Sequence, residues 1–144
     1  MKKSLIYVLI GLVLILLAIQ LIMVNRDNPE VNRDIEIKTP PEIAGILKTS
    51  CYDCHSNETK WPFYSYIAPI SWFVAHDVHE GRDAMNFSEW EKLSPIEQNT
   101  EKKRIVFKLE KGKMPPADYL FIHRDVRLFN QQIELVKKWV ETGS

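Results

Sequence analysis

Two cysteines in 144 residues are too few for a disulfide framework. No stretch alternates apolar and polar residues over the length of a strand, and no block recurs, which argues against a sheet domain and against a repeat array. Charge of one sign is also missing: 19 basic residues face 19 acidic ones, and the one basic run, Lys102-Lys103-Arg104, is short enough to be a solvated helix face. A nucleic-acid surface needs a clustered basic patch, so nucleic acid is not an expected partner.

Charge is absent altogether from Leu5 to Val24, a run about as long as a helix needs to cross a hydrocarbon core. Lys2 and Lys3 precede it, which favours leaving that end in the cytoplasm and the rest of the chain on the far side. A cleaved signal peptide would have a shorter apolar core and a small-x-small exit, and Gln20 to Asn25 offers neither. Residues 1–24 are therefore expected to be an uncleaved single-pass anchor in a bacterial inner membrane. Residues 25–38, polar and without apolar periodicity, then read as a linker, and residues 39–144 as one periplasmic domain.

What the domain has is Cys51-Tyr52-Asp53-Cys54-His55. A Cys-x-x-Cys-His run is the attachment sequence for c-type haem. Thiols one helical turn apart face the same side, where each can join one of the two vinyl groups on a haem edge. The next histidine can offer a neutral imidazole nitrogen to the iron as proximal ligand. One covalently held haem, on Cys51, Cys54 and His55, is the expected cofactor. Three other uses of the cysteines stay open: a structural disulfide, a thioredoxin-like redox pair, and a zinc site completed by His76 and His79. The redox pair would follow a buried strand, whereas Glu42 to Ser50 reads as helix.

The remaining signals are helical. Thr39, Pro40 and Glu42 form a capping-box pattern before a helix with Ile43, Ile46 and Leu47 on one face. Trp61, Phe63, Tyr64 and Tyr66 around Pro62 suit either the neighbourhood of a flat ring or a small core. A helix is predicted from Pro69 to Glu80, ended by Gly81, and another from Ser94-Pro95-Ile96-Glu97 to about Lys111, stopped by Gly112. The last, Asn130 to about Thr142, has Ile133, Val136, Trp139 and Val140 on one side.

A second axial ligand could come from Met114, Met85, His76, His79 or His123. Met114 is favoured, because a residue before proline is biased to extended backbone and so lies on a loop past a helix end. A histidine and methionine pair also raises the reduction potential relative to two histidines. His76 is the runner-up, on what reads as the apolar face of a helix. Arg82 and Arg124 could meet propionates, although a solvated role suits each.

The chain resembles c-type cytochromes and, more narrowly, the bacterial haem-binding-domain family of small membrane-anchored proteins. The residues that carry this are Cys51 to Asn57, Trp61-Pro62, Ile67 to Trp72 with His76-Asp77-Val78, Asn86 to Trp90, and Gly112 to Pro116 with Tyr119 and His123. The resemblance implies an all-α, cytochrome c-like domain around one haem c, covalently bound at Cys51 and Cys54, with His55 and Met114 as axial ligands. The segment from Trp61 to Arg82 is more aromatic and richer in histidine than a minimal cytochrome, which keeps His76 open. The function expected is that of a one-electron carrier between a membrane complex and another redox protein, not an enzyme. The alternative is a redox or gas sensor with an open or weakly filled distal position. A peroxidase would need an open position and a nearby base such as His76 or His79.

Overall fold

The computed structural model describes residues 2–143, and among them every regular element is helical. Helix α1 (Lys2–Ile19) is followed by α2 (Pro41–Ser50), the one-turn α3 (Tyr52–His55), α4 (Ile70–Ala84), α5 (Pro95–Glu110), α6 (Ala117–Ile122) and α7 (Asn130–Thr142). Short 3-10 turns stand at Phe63–Tyr66, Phe87–Lys92 and Arg124–Val126.

Local chemistry sets several of these boundaries. At the start of α5 the Glu97 carboxylate accepts from the Ser94 N–H at 2.8 Å, while the Ser94 hydroxyl accepts from the Glu97 N–H at 3.4 Å. Its end is turned by Gly112 at φ +59°, where the Lys113 N–H returns to the Lys108 carbonyl at 2.9 Å. Helix α2 starts later than its sequence pattern suggests. Pro40 is extended (φ −52°, ψ 148°) because Pro41 follows it, so Thr39 makes no cap and Pro41 takes the first helical position. Helix α4 runs through Gly81 to Ala84 instead of stopping there.

The core is built from α2, α3, α5 and α7 around the 3-10 turn at Phe87–Lys92. Leu47, Phe87, Trp90 and Val136 are its most buried large side chains, each at most 2% exposed. Burial of one such apolar side chain contributes about 1.5–3 kcal/mol. Tyr52, Phe87 and Trp90 form a stacked column, with ring centroids 5.5 and 6.0 Å apart. The column ends on the Cys-x-x-Cys-His turn, since Tyr52 belongs to it.

The segment expected to be a linker is instead strapped to the domain. Ile37 is buried and its N–H donates to the Phe87 carbonyl at 2.9 Å, while the Glu91 N–H donates to Ile35 at 2.9 Å. Arg33 donates two parallel bonds to Glu58, at 2.7 and 2.9 Å, and the Tyr52 hydroxyl donates to Glu36 at 3.0 Å. Polar composition suggested a spacer, but its backbone pairs with the Phe87–Lys92 turn and its side chains with Tyr52 of the motif and with Glu58 just after it.

The apolar run also differs from its expected form. It does not continue as one helix to Val24, because Gln20 is diverted: its Nε2 donates to the Ala68 carbonyl at 3.0 Å and its Oε1 accepts from the Ala68 N–H at 3.0 Å. The chain then turns, and the Trp72 Nε1–H donates to the Ile22 carbonyl at 3.2 Å. From Leu5 to Ile19 the helix is roughly 22 Å long at about 1.5 Å per residue, against a hydrocarbon core of about 30 Å. Among the described residues no helix is long and apolar enough to cross a membrane. The large apolar side chains from Leu5 to Leu17 are nevertheless all exposed.

Candidate functional site: the cleft over the Cys-x-x-Cys-His turn

Helix α2 delivers the motif and then breaks. Cys51 leaves helical geometry (φ −129°, ψ −33°), and α3 winds one further turn, with the His55 N–H donating to the Cys51 carbonyl at 2.9 Å. Helix α4 lies directly against this turn. A Cβ on Gly81 would stand 2.5 Å from the Cys54 carbonyl oxygen, so hydrogen at that position is what allows the contact. The sequence suggested Gly81 as a helix stop; its actual use is close approach, a signal that no local pattern carries.

Two adjoining clefts open above the turn, of about 290 and 320 Å³. Cys51, His55, Ala84 and Met114 line both, and Cys54 lines the second. Taken together they fall within the roughly 300–1,000 Å³ of small-molecule sites. Phe87, Ile105 and Leu109 close the first cleft, and Pro115, Pro116 and Tyr119 the second. The apolar face of α2 goes into the core, and α4 and α5 supply the walls. Arg104 and Lys108 edge the first cleft, Asp77 and Glu80 the second.

His55 is held in one tautomer. Its Nδ1 is 3.1 Å from the Met85 carbonyl oxygen, and because a carbonyl only accepts, the proton belongs on Nδ1. Nε2 therefore keeps its lone pair, which is the state a metal-ligating histidine needs. The ring also meets Phe87 edge-on at 6.3 Å, so the aromatic column fixes its plane. Met85, one of the sequence candidates for iron, thus orients His55 through its backbone carbonyl and also lines the first cleft.

Cys51 and Cys54 are free thiols. Burial pushes both up to about 12; at Cys51 the neighbouring Cys54 adds to this, and at Cys54 the nearby Asp53 does. Both are neutral near pH 7, unlike the depressed thiol of a thioredoxin-like pair. The zinc alternative also loses its further ligands. His76 is exposed and lines neither cleft, and the His79 Nε2 pairs with the Asn25 carbonyl at 3.2 Å. Among the described residues no three His, Cys, Asp or Glu side chains are grouped to hold a metal ion. His76 was expected on an apolar face; α4 instead buries Ser71, Ala75 and Val78 and turns His76 outward.

Met114 stands on the loop after Gly112 and lines both clefts. The next helix is tied back to the motif: the Tyr119 hydroxyl donates to the Asp53 carboxylate at 2.7 Å, and Tyr119 stacks on His123 at 4.4 Å. His123 is in turn hydrogen-bonded to the Tyr64 hydroxyl. Burial and the Asp53 carboxylate both raise the Tyr119 phenol, which keeps it a donor. Tyr119→Phe is expected to cost about 1.5–3 kcal/mol, the range for a bond to a charged acceptor, and to be read as a lower midpoint in urea.

Arg82 has a role that sequence reasoning missed. Its Nε donates to the Ser56 carbonyl at 2.8 Å, and its Nη atoms to Asp27, Asn28 and Thr59 at 2.7 to 3.1 Å. One side chain of α4 thereby joins the strap to the segment after the motif. An isolated arginine in a helix gives no hint of this.

The donor set fits a haem: two neutral thiols, an imidazole with a free nitrogen and a thioether line the same pair of clefts, with apolar side chains around them. A family model described as a haem-binding domain matches residues 14–142. No curated protein and no solved structure matches the chain.

Proposed function

The chain belongs to the haem-binding domain family, and from that premise we propose that it is a mono-haem c-type cytochrome carrying single electrons at the periplasmic face of a bacterial inner membrane. The observation that carries this reading is that Cys51, His55 and Met114 line both clefts, with Cys54 lining the second. Haem, when bound, supplies a one-electron ferric and ferrous couple. The Cys51 and Cys54 thiols would hold its edge as thioethers, the His55 Nε2 would be the proximal ligand and the Met114 sulfur the distal one. Phe87, Ile105 and Leu109, which line the first cleft, would shield the bound ring from water and so limit reorganisation when its charge changes.

With His55 and Met114 both holding the iron, a substrate would have little access to it, and the proposal is accordingly a carrier and not an enzyme. His76 faces solvent, so it is a poor candidate for the distal base of a peroxidase. The haem-carrying unit comprises residues 39–144 with the strap 25–38 bound to it, and its partners are redox proteins on either side of the transfer. Helix α1 is proposed to seat the chain in the membrane. A helix of this length spans only with local thinning of the bilayer and with Lys2 and Lys3 reaching to the surface.

One observation favours the sensor alternative: Met114 is 37% exposed and sits on a loop, so it is the ligand most easily displaced. The experiment that separates the two is the spectrum of the full chain, matured in a host that attaches c-type haem. A carrier should show the near-infrared band of ferric iron bound to methionine, lost in Met114→Ala and kept in His76→Ala. A high-spin wild-type spectrum that Met114→Ala leaves unchanged would favour sensing.

A further inference from the structure

The segment from Trp61 to Ala75 contains no charged residue, and its burial pattern is inverted. Ser65 and Ser71 are buried, with Ala68 and Ala75, while Phe63, Tyr66, Ile67, Ile70 and Phe73 face outward; Phe63 is 79% and Phe73 67% exposed. The sequence suggested these aromatics for a haem wall or a core, and the structure gives Phe63 and Tyr66 neither role. Scattered apolar residues on a surface are ordinary, but a contiguous large patch with small polar residues behind it marks an interaction site.

Its position identifies the occupant. The same segment holds the end of α1: Ala68 exchanges two hydrogen bonds with the Gln20 side chain, and Trp72 binds the Ile22 carbonyl. The outward-facing apolar side chains therefore begin where the apolar helix ends, with no spacer between them. Arg26 lies over the Tyr66 ring at 4.4 Å, so a cation and an aromatic mark the edge of the patch, as at a head-group layer.

We propose that Phe63, Tyr66, Ile67, Ile70 and Phe73 form a foot that inserts into the lipid interface beside the exit of α1 and lays the domain on the bilayer. This rests on the reading of α1 as the membrane segment. Insertion of such side chains to about 5–10 Å depth gives the exposed phenylalanines the apolar medium their orientation requires. The clamp at Gln20 then fixes which face of the domain is turned to the membrane and which is left to a redox partner.

The test uses the full chain in vesicles of phosphatidylethanolamine and phosphatidylglycerol carrying a lipid with a photoactivated diazirine high on its acyl chain. Cross-links mapped by mass spectrometry are expected in residues 5–19 and in residues 61–75. The double variant Phe63→Glu, Phe73→Glu should lose those in 61–75 and still float with the vesicles, whereas Phe129→Glu, an exposed phenylalanine outside the patch, should lose neither set. Cross-links confined to 5–19, with flotation kept, would overturn the foot and leave α1 in the membrane. Absence of both sets, without flotation, would overturn the α1 reading and the foot with it. Links between the 61–75 segments of two chains in place of lipid links would overturn the proposal in favour of a second copy covering this face.

Discussion

A chain carrying Cys51→Ser and Cys54→Ser, matured beside the wild type, is expected to lose all haem on denaturing electrophoresis while the wild type keeps its haem. The physical reason is that His55 and Met114 would supply only coordinate bonds, which dissolve when the fold does, whereas thioethers would survive it. Both thiols are neutral, free and on the cleft wall, so serine in their place removes one bond each and little packing. Either single variant should retain one attachment. Haem retained by the double variant after denaturation would remove the cysteines from the site. A wild type that retains none, in a host that matures a control cytochrome, would return them to disulfide chemistry.

Substitution of Gly81 should have the largest effect on folding, and its sign is set by two opposed terms. Alanine in place of an interior helical glycine gains about 1 kcal/mol of helix propensity. At Gly81 the new Cβ would stand 2.5 Å from the Cys54 carbonyl oxygen and 3.0 Å from its carbon, and these are backbone atoms that cannot swing aside. Forcing α4 off the motif costs about 1–3 kcal/mol for one methyl and more for a branched side chain. Gly81→Ala is therefore expected to be net destabilising, and Gly81→Val by about 3 kcal/mol or more. Gly45 in α2 is the internal control. Nothing lies within 4 Å of a Cβ there, so Gly45→Ala should stabilise by about 0.5–1 kcal/mol. The two substitutions should move the denaturation midpoint in opposite directions. Equal shifts for both would mean that the contact between α4 and Cys54 does not limit stability. Gly81→Val should also lower haem retention during maturation, because the displaced backbone carries Cys54.

The two predictions bear on the same turn from different sides: one removes its chemistry, the other its seat. Arg82, Tyr119 and the Met85 carbonyl act on that seat too, from α4, α6 and the link between α4 and the Phe87–Lys92 turn. The histidine that would meet the iron is thus oriented by a residue 30 positions away.

Features that depend on neighbours within a turn of chain are legible in the residue pattern alone. Cys51, Cys54 and His55 share one turn because their spacing requires it. Ser94 and Glu97 cap α5 because their side chains reach each other's N–H groups, and Gly112 ends it because a left-handed residue is cheapest without a Cβ. The period of Val136 and Trp139 placed α7 from Asn130 to Thr142. Features that depend on which surfaces meet arise only when the chain packs. Gln20 left α1 for the Ala68 backbone, residues 25–38 closed on the motif instead of hanging free, and α4 extended past Gly81 while turning His76 outward. Phe63 and Phe73 went outward while Ser65 and Ser71 went in. In each case the free energy lies in a partner many residues away, and periodicity records only that a side chain is apolar, not which medium receives it.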